Sequence, residues 1–387
     1  MIRKILLGLF LMLSLSCQSQ EEKAAIRILT GAEQIPEYLP LLQNKSVGVV
    51  VNPSSRIGDQ HLVDTLISLG INIEKIFTPE HGFRGDKDAG ELVEDSSAES
   101  TGYTIISLYG KNKKPSPEAL QGLDIVLFDI QDVGVRFYTY ASTMHLVMEA
   151  CAENNLPFLL LDRPNPNGDY VDGTILDPEF RSFVGMHPIP VVHGLTLGEL
   201  AQMINGEKWL ENEVMCDLKV IGMKNYAHDS AYSLPVKPSP NLPNDLSIRW
   251  YPSLCFFEGT AISIGRGTYF PFQVAGYPDP KFGDFSFTPV SIEGMSKYPK
   301  HQDKECFGVD LRNQEPPKRL DLSYLINYYQ KFEAKEEFFI KYFDTLAGTD
   351  SLRKQIESGM TEEEIRQSWQ EGLDNYRKNR EQYLLYP

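Results

Sequence analysis

The chain of 387 residues lacks most of the short signatures that announce a reaction. No Gly-x-Gly-x-x-Gly follows its first β-branched run and no Gly-Lys-Ser/Thr loop occurs, which disfavours a nicotinamide or ATP-dependent enzyme. No Gly-x-Ser-x-Gly elbow is present, so the common serine hydrolase arrangement is absent. The cysteines at 17, 151, 216, 255 and 306 form no Cys-x-x-Cys pair, and His81, His187 and His193 show no His-x-x-x-His spacing. A zinc cluster is therefore not expected, and neither a metal nor a cofactor is assigned. Cations are scarce, 37 Lys and Arg against 53 Asp and Glu. An acidic body argues against nucleic acid and against an anionic bilayer surface as partners, but not against a glycan held in a locally positive cleft.

Long apolar runs are also lacking. The stretch from Ile5 to Leu15 is too short to cross a bilayer. It follows Arg3 and Lys4 and precedes small polar residues, the pattern of a secretory signal over residues 1–16. Leu13-Ser14-Leu15-Ser16-Cys17 closes it as a bacterial lipoprotein box does, with Cys17 as the lipidation site and 17–24 as a polar tether. The expectation is an exported chain, periplasmic or on the outer membrane of a Gram-negative bacterium, touching the membrane only through that anchor. Without Arg3 and Lys4, 35 cations face 53 acids, a net charge of −18. The other four cysteines are expected as buried free thiols, because a chain this long builds a core without staples.

What is present is an alternation. Val47 to Asn52 reads as a buried parallel strand, Gln60 to Leu69 as a helix stopped by Gly70, and Asn72 to Phe77 as the next strand. Thr104 to Leu108, Asp124 to Ile130 and Pro157 to Leu161 are further strands, with a helix over Thr139 to Asn154. Thr196 with Glu199 forms a capping box, a structural role for Glu199. The order predicts an α/β chain with a Rossmann-like parallel sheet in an N-terminal domain over 25–245. Prolines 235, 238, 240 and 243 make a stiff connector, and aromatics, Gly and Pro are dense from Trp250 to Tyr277. From Asp321 onward the pattern is helical, with Ile365, Trp369, Leu373 and Tyr376 on one stripe. A smaller α+β C-terminal domain over 246–387 is predicted, completing a cleft.

Ligands of an open parallel sheet bind beyond the carboxyl ends of its strands. Three unusual loops fall there. The first, Thr78 to Gly85 (TPEHGFRG), supplies Glu80, His81 and Arg84. Glu80 is a candidate general acid, with a loop staple to Arg84 as the plainer alternative. The second follows Asp129 and supplies Asp132, Arg136, Tyr138 and Tyr140. It suits a polar cradle with stacking aromatics, or simply a pairing of Arg136 with Asp129 or Asp132. The third, Asp162 to Gly168 (DRPNPNG), is stiffened by two X-Pro steps and offers Asn165. His193, Asn241, Glu258 and Arg266 are further binding candidates, Arg266 lying between two glycines where it suits a substrate carboxylate or sits on a tight turn.

The runs PEHGFRG, DIQDVGVRFYTY, LDRPNPNG, HGLTLGELA, SPNLP, FEGTAISIGRGT and PFQVAGYP, in this order, resemble the exo-β-N-acetylmuramidases of the NamZ type, glycoside hydrolase family 171. The likeness covers almost all of residues 45–387. It implies a Rossmann-like domain, a smaller second domain, and release of terminal N-acetylmuramic acid from the non-reducing ends of peptidoglycan fragments. It also implies that the catalytic glutamate is Glu80. Asp129, Asp132 and Glu258 are candidates for a second carboxylate. A separation of about 5–5.5 Å would indicate retention, about 6.5–9.5 Å inversion, and an acetamido group attacking from within the substrate is a third route. The lactyl carboxylate of muramic acid calls for a cation, for which Arg84, Arg136 and Arg266 are candidates. The alternative is a lipoprotein that binds muropeptides without cleaving them.

Overall fold

The computed structural model describes residues 27–79 and 103–387. Its main elements, in chain order, are α1 (Ile35–Leu42), β1 (Ser46–Val51), α2 (Leu62–Ser68), β2 (Asn72–Thr78), β3 (Thr104–Ser107), β4 (Ile125–Asp129), α3 (Tyr140–Glu153), β5 (Phe158–Leu161), α4 (Leu197–Gly206) and β6 (Leu218–Ile221). The second half adds α5 (Asp245–Leu254), β7 (Val274–Tyr277), β8 (Phe285–Phe287), β9 (Cys306–Asp310), α6 (Ser323–Lys331), α7 (Tyr342–Ala347) and α8 (Glu362–Arg380).

The six strands β1 to β6 form one sheet in the order β3-β2-β1-β4-β5-β6, parallel throughout. This is the doubly wound order, which reverses between β1 and β4 and opens a crevice beyond their carboxyl ends. β-Branched repetition builds it: Val47, Val49 and Val51 face α1 and α2, packing with Tyr38, Leu42, Leu62 and Leu66. Val50, Phe128 and Leu160 face the other way, toward Met144, Met148, Leu200 and Ile204 of α3 and α4. Both faces are covered, as an all-parallel sheet requires.

The expected α/β class is therefore present, with a second part of helices and a small antiparallel sheet, β8-β9-β7. The strands expected around 47–52, 72–77, 104–108, 124–130 and 157–161 all occur within a residue or two. α1, β6 and α5 were not expected, and β7, β8 and β9 were foreseen only as part of an α+β unit. The boxes at Thr196/Glu199 and Thr361/Glu364 cap α4 and α8. Cys151, Cys216, Cys255 and Cys306 are free and buried. The proline-rich stretch is not a detached connector, since Pro238 is buried and its carbonyl accepts from the Tyr138 hydroxyl at 2.7 Å.

Candidate active site

Beyond the carboxyl ends of β3 and β4 lies a cavity of about 440 Å³. The loop after β3 contributes Tyr109, Gly110 and Lys113, and the loop after β4 contributes Phe137 to Tyr140. Asn241, just before α5, joins them, and the second half closes the cavity with Tyr251, Glu258, Arg266, Phe272 and Tyr342. Aromatic edges form its floor: Tyr138 meets Tyr140 at 5.0 Å and Tyr251 at 5.9 Å between centroids, both near perpendicular. Glu80, His81 and Arg84 lie outside the described residues, as does Cys17. Their loop leaves β2 at Thr78, whose carbonyl accepts from Leu108 N at 2.7 Å, one residue before Tyr109 enters the cavity lining.

Five of the expected residues meet here: Tyr138, Tyr140, Asn241, Glu258 and Arg266. Arg266 Nε donates to Glu258 Oε1 and its guanidinium lies 5.2 Å from the Phe272 ring. Gly265 (φ 77°) and Gly267 (φ 81°) flank Arg266 for reasons of packing, since a Cβ at 267 would come within 2.6 Å of Pro299 and the Val290 carbonyl. Lys300 fastens the Glu258 segment by donating to the carbonyls of Phe257, Glu258 and Thr260, and burial pushes its pKa down to about 8. Asn241 Nδ2 donates to Met295 O at 2.7 Å, while its buried Oδ1 has no partner among the described residues.

The others sit behind this surface. Asp129 pairs with Arg163, not with Arg136: Nε and Nη2 of Arg163 reach its two oxygens at 2.6 and 2.8 Å. Asp132 does not pair with Arg136 either. One of its oxygens accepts from Gly134 N at 2.7 Å and the other is buried without a partner among the described residues. Burial raises its pKa to about 7, against the opposing pull of the Gly134 and Val133 N–H groups. Gly134 (φ 74°) is needed there because a Cβ would collide with the Asn165 amide at 2.0 Å.

Arg136, expected at a substrate carboxylate, instead has its fork occupied by carbonyls of Thr174, Ile189, Leu346 and Ala347 at 2.6 to 3.3 Å. Dehydration lowers its pKa to about 9. The backbone bond from Arg136 N to Val191 O turns this side chain away from the aspartates and toward the end of α7. Asn165 spends its amide on Leu195 O and Asn167 N. His193 accepts from Leu195 N through Nδ1, and burial, with the charges of Arg380 and Arg136, lowers its pKa to about 3. None of Asp129, Asp132, Arg136, Asn165 and His193 lines the cavity.

Sequence reasoning missed Tyr109, Lys113, Phe183, Tyr251, Phe272 and Tyr342. The aromatic density from Trp250 to Tyr277 was a signal for two of them, Tyr251 and Phe272, but singled out neither. Lys113 sits in the run Lys111-Asn112-Lys113-Lys114, which looks like an ordinary solvated stretch.

A doubly wound sheet whose carboxyl edge is roofed by a second unit, over a pocket of aromatic rings with a fixed carboxylate and guanidinium, defines an α/β protein with a recess suited to a small polar ligand. Comparison with known proteins gives the particular kind. Residues 47–246 match the family described as "Exo-beta-N-acetylmuramidase NamZ, N-terminal", and residues 249–386 match its C-terminal counterpart. The chain belongs to the NamZ family. It is 40% identical over 383 residues to the peptidoglycan beta-N-acetylmuramidase NamZ of Bacillus subtilis strain 168, an alignment covering 93% of this chain and 92% of that one. Two crystal structures of DUF1343-family proteins from Bacteroides fragilis NCTC 9343 share the fold. One has a TM-score of 0.86 at 46% identity over 93% of this chain and 99% of its own. The other has a TM-score of 0.81 at 30% identity over 94% and 100%.

Proposed function

We propose that this protein is an exo-acting glycosidase that releases terminal N-acetylmuramic acid from the non-reducing end of peptidoglycan fragments. The observation that carries the reading is the 40% identity to a peptidoglycan beta-N-acetylmuramidase along nearly the whole of both chains. The cavity agrees with it: aromatic rings suit the faces of a sugar, and a recess closed by both halves suits a chain end better than the middle of a strand.

Glycoside cleavage needs an acid on the leaving oxygen and usually a second carboxylate. Glu80 is the proposed acid, one residue past Pro79 on the loop that leaves β2. Of the three candidates for its partner, Glu258 has the geometry that suits the role best. It lines the cavity and is held by Arg266, whereas both oxygens of Asp129 are engaged by Arg163 and Asp132 lies behind the lining. Substitution Glu80→Gln is expected to lower kcat on an aryl β-N-acetylmuramide by at least about 100-fold, the usual worth of a positioned proton donor, while binding persists. Undiminished turnover in that variant would remove Glu80 from the chemistry. Tight binding by the wild type, with no product over hours, would favour a binding protein instead.

The chain is further proposed to be an exported lipoprotein, anchored through Cys17. The supporting observations are the Leu13 to Cys17 box and the acidic, export-compatible body; no helix among the described residues is long and apolar enough to cross a membrane. Mass spectrometry of the mature N-terminus tests this, and an unlipidated start elsewhere would refute it.

A further inference from the structure

Among its described lining residues the cavity has two cations, and they differ in how their charge is met. Arg266 is bound to Glu258, so a ligand carboxylate approaching it also meets an anion. Lys113 has no such partner among the described residues. Its neighbour Lys114 turns away to Glu149 and Glu153, each at 2.8 Å, and takes the nearby carboxylates. The Lys113 ammonium instead lies 4.3 Å from the ring centroid of Phe183, and both residues line the cavity. An ammonium held half-buried over an aromatic face, with no anion beside it among the described residues, is a ready site for a carboxylate from solution.

We propose that Lys113 recognises the lactyl carboxylate of the substrate and so lets the enzyme distinguish N-acetylmuramic acid from N-acetylglucosamine, which lacks that group. The assignment rests on the glycosidase reading above and takes Lys113, in place of Arg136 and Arg266, as the carboxylate's partner; Arg84 lies outside the described residues. Arg136 is consumed by carbonyls, and Arg266 is neutralised. A site built around a fixed charge rejects the analogue without the matching group, because its ammonium is then left partly dehydrated and unpaired.

The experiment measures kcat/KM of the full chain on an aryl β-N-acetylmuramide and on the same glycoside with its lactyl carboxyl converted to the methyl ester. The wild type should prefer the free acid by about 10- to 100-fold, the range of a charge-assisted hydrogen bond. Lys113→Gln should lose most of that preference through the free acid alone, chiefly in KM, with the ester cleaved as before. Lys113→Arg should restore it. A preference intact in Lys113→Gln, or an equal loss on both substrates, overturns the proposal, as does a preference that vanishes in Arg266→Gln but not in Lys113→Gln. A wild type that cleaves neither glycoside defeats the glycosidase reading itself, a result separate from any failure at Lys113.

Discussion

A carboxyl group at the end of a buried strand has two ways to avoid paying for dehydration, and Asp129 and Asp132 take one each. Asp129 is met by the Arg163 guanidinium, whose Nε lies 2.6 Å from its Oδ1. Asp132 has only N–H partners and holds its proton instead, up to about pH 7. The consequence for stability has a definite sign. In the unfolded chain this carboxyl loses its proton near 3.8, so between that value and about 7 the folded state binds more protons. The stabilisation present below pH 4 is therefore lost as pH rises through 7, by up to about 1.4 kcal/mol per unit. Asp132→Asn keeps an acceptor for the Gly134 N–H and removes the titration. The difference in unfolding free energy between wild type and this variant, from urea curves at pH 5 and pH 8, should shift toward the variant at the higher pH. A pH-independent difference would show that Asp132 titrates normally.

Elements are joined here by side chains whose partners are backbone. Arg136, on the loop after β4, receives the last carbonyls of α7, a helix about 210 residues further along the chain. A cation suits a helix carboxyl end, where four carbonyls lack intrahelical partners. Arg136→Met fills similar space but withdraws a charged donor from the Thr174, Ile189 and Ala347 oxygens together, leaving, among the described residues, Ile189 O only Leu176 N and Ala347 O only the Thr174 hydroxyl. It should cost about 3 kcal/mol or more, read as a lower urea midpoint at unchanged slope. A cost under about 1 kcal/mol would mean that water enters and replaces the guanidinium. Such joints also explain what the sequence hid. The strands from β1 to β5 were legible because apolar runs such as Val47 to Val51 report burial on both faces. β6 was not, since Leu218-Lys219-Val220-Ile221 is four residues long with a lysine inside it. α5 was masked by Pro252 and by the surrounding aromatics. Of the site, the cavity-lining Tyr138, Asn241, Glu258 and Arg266 were legible as polar or aromatic residues in glycine- and proline-rich loops. Arg136, Asn165 and His193 look the same in sequence, and only the position of distant carbonyls separates a brace from a ligand contact.

At the scale of the molecule, the two halves share one core. The cluster containing Val126, Phe128 and Leu160 of the parallel sheet continues through Leu254 and Phe257 to Leu325, Leu346, Ile365, Trp369 and Leu373 of the C-terminal helices. Polar ties reinforce it: Arg366 reaches Asp172 at 2.6 Å, the Tyr376 hydroxyl donates to His193 O, and the Tyr386 hydroxyl donates to Asp162 at 2.7 Å. A boundary near residue 247 in sequence is therefore not a boundary in packing. Cutting there would expose apolar surface on both pieces, at about 25 cal/mol for each Å². Unfolding should accordingly be a single cooperative step, unlike that of two modules on a linker. The tryptophans offer a direct check, because Trp209 lies in the first half while Trp250 and Trp369 lie in the second. In variants keeping only Trp209 or only Trp369, the urea transitions seen by fluorescence should coincide with each other and with far-ultraviolet circular dichroism. Separate midpoints would show halves that fold on their own, and the cavity they enclose would then depend on docking, not on a common core.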